Sequence, residues 1–323
     1  MNRFIPLLLC ACSSIGARDV TAQESRPFRA RNLSPLASIF GLPAWHAAHD
    51  SFEISVTSEL ANHFSFGAGD RDVIMVDGET WRNSLFIAKT FGDAWSVSFE
   101  LPHYRVSGGT LDDLVDAWHS TFGLPDGGRN QRPESALLFS LERDGQPFYQ
   151  LMDERTGLGD AQIGVGYRLG RDGGVYANAW LKLPTGDEQM LAGSGSTDWA
   201  VTFLQPRDVM FRGRRAGYYW GVGAARLGQA DLIAYVQEGS AVMAVVGGSL
   251  SLAERIGVKL QLDFNSALYR SELREIGDAA LPLTIGGWWQ FAARGSLEFG
   301  INEDLSVGAS PDVVLHAAAR WQW

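Results

Sequence analysis

Six histidines, His46, His49, His63, His103, His119 and His316, are the candidates for acid–base chemistry near neutral pH. Asp116, His119 and Ser120 are close enough in sequence to sketch a nucleophile, a base and an orienting carboxylate, the grouping of a serine hydrolase. Neighbours on a helix point about 100° apart, however, so Ser120 would not face His119. Asp112, Asp113 and Asp116 offer oxygen ligands of the kind calcium takes. Acids at that spacing more often form the solvated face of a helix. The two cysteines, Cys10 and Cys12, lie at the start of the chain and match no zinc spacing. Gly164 and Gly166 are spaced like the start of a nucleotide loop, but no helical pattern follows them.

A different kind of chemistry is charge carried inside alternating segments. Over 258–265, Lys259, Gln261, Asp263 and Asn265 share one face, while Val258, Leu260, Leu262 and Phe264 share the other. That is a strand with one polar and one apolar side. Segments 52–57 and 95–101 alternate in the same way. Weaker candidates are 80–90, 135–143, 148–152, 161–169, 175–183, 198–205, 217–226, 241–252, 283–291, 296–301 and 312–323. The pattern predicts about 14 strands, or roughly 12 if the short segments 148–152 and 296–301 do not span. The polar faces carry Glu53, Glu100, Arg168, Lys182, Lys259, Asp263, Glu298 and Arg320. A closed barrel can pair such groups across a wet lumen.

The connections support a barrel. Short turns at 91–94 and 170–174 alternate with longer polar stretches at 62–79, 107–134, 185–197 and 271–280; 206–216 breaks the rule by being long where a short turn is expected. Soluble β-sandwiches alternate too. Aromatic residues near predicted strand ends, among them Trp81, Trp95, Trp199 and Tyr218, favour an interfacial girdle. The last strand alternates into Trp321 and Trp323, which matches the assembly signal of outer-membrane barrels. No apolar run is long enough for a spanning helix. A net charge of −10 without a basic block argues against nucleic acid as a partner.

Residues 1–22 read as a secretion signal: Arg3, a short apolar core, then Val20-Thr21-Ala22 at cleavage spacing. Leu9 to Ser13 loosely fits a lipid-attachment site, but Cys10 stands where that site wants a small residue. Cleavage after Ala22 would leave a chain without thiols. Residues 23–49 contain Pro27, Pro35 and Pro43 and read as an N-terminal extension or plug, with the barrel at 50–323. Leu111, Leu114, Val115, Trp118 and Phe122 recur at helical spacing inside an outer loop, giving a short amphipathic helix that packs over the barrel mouth or gates it. The candidate gate residues are Leu111, Leu114, Trp118 and His119.

An ordered set of short motifs adds to this. Asp77-Gly78-Glu79-Thr80 is followed by Gly108-Gly109 with Leu111-Asp112, Trp118-His119, and Gly123-Leu124-Pro125 with Gly128-Arg129. Then come Gly157-Leu158-Gly159-Asp160, Leu183-Pro184-Thr185-Gly186-Asp187, Gly193-Ser194-Gly195, and Glu303-Asp304-Leu305 with Ser310-Pro311-Asp312. Together they resemble a bacterial family, the domain-of-unknown-function group numbered 3187. The resemblance covers nearly all of the mature chain and implies an outer-membrane barrel; it brings no activity, substrate or catalytic residue. The Gly-Leu-Gly-Asp and Pro-Thr-Gly-Asp elements are also similar to those of outer-membrane channels for hydrophobic compounds.

The expected protein is therefore all-β, a transmembrane antiparallel barrel of about 12–14 strands in a Gram-negative outer membrane. A passive channel or binding protein for small, including hydrophobic, molecules is expected. The alternatives are a lipid-modifying enzyme at the outer leaflet and a structural barrel with a closed lumen. Arg168, Lys182, Lys259, Asp263, Glu298 and Arg320 are the expected lumen residues. No catalytic residue, metal or cofactor is assigned. The expected partners are membrane lipids, the barrel assembly machinery and an unidentified solute.

Overall fold

The computed structural model describes residues 25–48, 51–111, 117, 135–170, 174–306 and 308–323. The expected signal (1–22) and the gate residues Leu114, Trp118 and His119 lie outside the described residues.

Fifteen strands follow in chain order: β1 (Phe52–Ala68), β2 (Asp72–Phe91), β3 (Trp95–Ser107), β4 (Leu138–Arg143), β5 (Gln146–Leu151), β6 (Arg155–Leu158), β7 (Gln162–Leu169), β8 (Val175–Lys182), β9 (Asp198–Phe211), β10 (Arg214–Arg226), β11 (Ser240–Ala253), β12 (Ile256–Asn265), β13 (Pro282–Trp289), β14 (Gly295–Asp304) and β15 (Val313–Gln322). Twelve of them form an antiparallel wall in the order β1-β2-β3-β7-β8-β9-β10-β11-β12-β13-β14-β15. The wall closes where β15 pairs with β1, from Glu53↔Gln322 to Asn62↔Val313.

Alternation decides which face each residue takes. On β12, Lys259 and Gln261 are buried inside, whereas Val258 and Leu260 are exposed outside. The outer surface carries further apolar side chains, including Val97, Phe99, Val165, Phe203, Val246, Ile285 and Phe299. An exposed apolar band of this kind fits a lipid-facing barrel wall. Aromatic pairs ring the short-turn end: Phe52 with Trp323, Trp95 with Tyr167, and Phe291 with both Trp289 and Trp321.

Three expectations about the connections are corrected. Residues 62–79 do not form a polar loop, because β1 and β2 continue beyond their neighbours as a hairpin paired out to Ala68↔Val73. Nor is 206–216 a long turn: β9 runs to Phe211, and Arg212 and Gly213, both with positive φ (49° and 76°), make a two-residue hairpin turn. Pro206 sits where β9 has outrun β8, with one edge unpaired. The segments at 135–143 and 148–152 become β4 and β5, a hairpin beside the extension of β2 (Asp72↔Arg143 to Asp77↔Leu138) and outside the wall. Removing that hairpin from the count leaves twelve spanning strands; 296–301 belongs to the full strand β14.

Candidate functional site

Residues 25–48 run through the interior of the barrel. Three prolines keep the segment out of regular strand, so its backbone groups must find other partners. Inward-facing side chains of the wall supply them. Gln261 of β12 accepts from the Phe28 N–H (2.7 Å) and donates to the Phe28 carbonyl (3.3 Å), as a neighbouring strand would. The segment then reaches a single helical turn, α1 (Pro35–Ser38), where the Tyr269 hydroxyl donates to the Leu36 carbonyl at 2.8 Å. Here it reverses: Lys182 donates to the Ile39 carbonyl (2.9 Å) and Gln162 to that of Gly41. Gly41 has φ +53°, and a Cβ there would lie 2.7 Å from the Gln162 amide, so the bend requires glycine. On the way back the Trp45 indole donates to Asp263 at 3.0 Å and Asn178 donates to the His46 carbonyl at 3.1 Å.

A chain of buried charges crosses the lumen beside this segment. Glu100 of β3 accepts from Arg29, Arg31 and Arg82, each at 2.5 Å. Arg82 also bridges to Glu59 at 2.9 Å. His316 lies between Glu59 (3.3 Å) and Glu298 (3.6 Å), and Glu298 pairs with Lys259 at 2.5 Å. At the short-turn end Glu53 meets Arg320 (3.3 Å) and Arg26 (3.5 Å). The desolvation of each ion costs several kcal/mol, which only close pairing offsets. Arg26, Arg29 and Arg31 come from the internal segment, so the array is complete only when that segment is inside.

The sequence motifs converge at the long-loop end. Asp160 accepts from the Gly186 N–H (2.7 Å) and the Ser194 N–H (3.3 Å), and pairs with Lys182 at 2.7 Å. Thr185 accepts from the Ala161 N–H and donates to the Gly159 carbonyl. A Cβ on Gly193 would lie 2.5 Å from Asp160, and one on Gly159 would lie 2.4 Å from Tyr104. The Gly-Leu-Gly-Asp, Pro-Thr-Gly-Asp and Gly-Ser-Gly elements are thus one knot, tied through Lys182 to Ile39 of the internal segment. A second knot joins Asp77-Gly78-Glu79 to Gly108-Gly109, with Glu79 accepting from the N–H groups of Thr110 (3.0 Å) and Leu111 (2.6 Å). On the exposed hairpins Arg71 donates to Asp144 and holds its carboxyl below the usual range.

Of the six lumen residues read from sequence, Lys182, Lys259, Glu298 and Arg320 are buried inside, and Asp263 is half-buried against Trp45. Arg168, half-buried near the short-turn end of β7, is remote from the Glu100 cluster. Leu111 is half-buried and held by Glu79. Trp321 contacts Phe291, while Trp323 contacts Phe52 and exchanges main-chain hydrogen bonds with it (3.2 and 2.9 Å). His103 faces outward against Thr156, and His316 sits inside the charge array. Arg26, Arg29, Arg31 and Arg82 escaped the sequence reading. For Arg82, its place in the alternating segment 80–90 was the available signal.

A cavity of about 50 Å³ lies between the segment and the wall, bordered by Arg31, Trp45, Arg82, Tyr104, Gln162 and Asp263. Four others hold about 10 Å³ each. Such spaces take a few water molecules at most.

Fold and interior together define an outer-membrane-type β-barrel whose lumen is filled by its own N-terminal segment. The chain belongs to the family described as a protein of unknown function, DUF3187, whose model matches residues 4–323. Among solved structures it is similar to the COG4313 outer membrane channel from Pseudomonas putida F1, with a TM-score of 0.53 and 15% identity over 86% of this chain and 97% of that one. Weaker likenesses are to the transport unit of the autotransporter AIDA-I from Escherichia coli (TM-score 0.48, 8% identity, 92% and 99% covered) and to the NanC porin (0.46, 9%, 84% and 98%). No curated protein matches the chain. At these identities the likeness establishes the fold.

Proposed function

We propose that this protein is a passive channel of the bacterial outer membrane, closed at rest by residues 25–48. The observation that carries this reading is how the segment is held. Carbonyls of Phe28, Ile39, Gly41 and His46 are met by single wall side chains, that of Leu36 by Tyr269 in the connection between β12 and β13, and its arginines by wall carboxylates. These contacts can each be replaced by water or solute, unlike the continuous ladder of the wall. The segment also turns back on itself, with Arg26 near the short-turn end where β1 begins, so it can leave without threading. The similarity to an outer membrane channel supports the same reading. Solutes would then pass by diffusion along the charged inner face. Residues 1–22 would direct export, and the Trp321–Trp323 strand end would engage the assembly machinery.

The small cavities favour a second reading, a structural barrel with a permanently closed lumen. Planar bilayers separate the two. Deleting residues 23–48, with 1–22 kept for export, should turn a silent or rarely conducting protein into a steadily conducting one. Because hydrophobic solutes carry no current, solute release from vesicles is measured alongside. A deletion variant that folds, yet neither conducts nor releases solute, rules out the channel.

A further inference from the structure

We infer that Glu100 and Phe86 form a receptor site for guanidinium cations, filled at rest by the chain's own Arg29 and Arg31. The proposal rests on the channel reading above and gives that channel its solute class, small organic cations bearing a guanidinium. Glu100 is buried on the inner face of β3, and one of its oxygens accepts from both Arg29 and Arg31 while the other accepts from Arg82 of the wall. The guanidinium carbon of Arg29 stands 3.6 Å over the centre of the Phe86 ring. A carboxylate at the edge of a guanidinium and an aromatic ring on its face are the two contacts that this planar cation uses best.

The tethered occupants fit the site imperfectly. Two guanidiniums share one carboxylate oxygen, and Nη1 of Arg29 and Nε of Arg31 find no protein partner among the described residues. Arg31 also borders the cavity of about 50 Å³, so the site adjoins a small void between the segment and the wall. With the segment withdrawn, Arg82 is the base left on Glu100, and it is shared with Glu59. Asp263 at the same time loses the Trp45 donor. The wall thereby presents carboxylate oxygens and a free aromatic face to whatever enters. An arriving guanidinium restores the contacts that Arg29 made, so solute and segment compete for one place.

Two measurements with arginine amide as the probe test this. In planar bilayers the variant lacking 23–48 should pass potassium in preference to chloride. Arginine amide should block its current at concentrations at least tenfold lower than lysine amide, which has the same two charges with an ammonium in place of the guanidinium. Adding Glu100→Gln should raise the half-blocking concentration tenfold or more, and Phe86→Ala severalfold. Block unaffected by Glu100→Gln overturns the site while leaving the channel in place; a variant that folds yet neither conducts nor releases solute overturns both. The second measurement uses the full chain with Arg29→Ala and Arg31→Ala and does not depend on conduction. Arginine amide should raise its unfolding temperature, read as gel mobility on heating, and should do so only while Glu100 is present. No rise, or the same rise with Glu100→Gln, overturns the proposal.

Discussion

Lys182 shows how one side chain joins wall, loop and interior. Its ammonium lies 2.7 Å from Asp160 and 2.6 Å from Asp198 while donating to the Ile39 carbonyl. Lys182→Met would leave two buried carboxylates without their shared cation. Loss of one partner from such an arrangement costs about 3–5 kcal/mol. Urea unfolding in lipid vesicles, followed by tryptophan fluorescence, should show that loss, and protease should reach 25–48 faster. An unchanged midpoint would mean that the knot carries no strain-bearing role. Gly193→Ala probes the same knot from the loop side. Its Cβ would meet Asp160 at 2.5 Å, and such overpacking costs about 1–3 kcal/mol. At this scale the sequence exposes Lys182, Lys259, Glu298 and Arg320, because each falls on the polar parity of an alternating segment. It hides Arg29 and Arg31. They lie in a proline-rich stretch with no period, and their partner Glu100 is far away in sequence, brought close only by closure of the wall.

The strands themselves are legible for the same reason, since two solvents on two faces impose a period of two. Their roles are less so. The β4–β5 hairpin alternates like a wall strand but pairs beside the β2 extension, so a count by pattern includes two strands that do not span, whereas the short segment 296–301 belongs to one that does. The long β9 and β10 were obscured by Pro206 and by a charged turn. That turn makes a separable prediction. Gly213 has φ +76°, and a Cβ there would touch nothing within 4 Å, so any penalty is purely one of backbone. Gly213→Val should cost about 1–2 kcal/mol and slow barrel assembly in vesicles, whereas Arg212→Asn, better suited to positive φ, should be neutral or stabilising. Equal behaviour of the two variants would argue that the hairpin forms by wall pairing alone.

For the molecule as a whole, adjacent residues of one strand should report different surroundings. Leu260 is 50% exposed on the outer face of β12, beside the exposed Ile285 of β13. Gln261, the next residue, is fully buried and holds both backbone groups of Phe28. In a water-soluble barrel Leu260→Arg would be a surface change worth at most about 0.5 kcal/mol. In a lipid-facing wall it should cost roughly 2–4 kcal/mol near the bilayer midplane. Gln261→Leu should act through the interior instead, stranding the Phe28 N–H and carbonyl at about 1–3 kcal/mol and loosening the segment without disturbing the wall. Both variants, unfolded from vesicles and from detergent micelles, separate the two surfaces. The Leu260→Arg penalty should depend on bilayer thickness, being larger in thick bilayers and smaller in thin ones, and the Gln261→Leu penalty should not. If Leu260→Arg is tolerated in every bilayer, the apolar band faces something other than lipid, and the membrane assignment fails along with the channel built upon it.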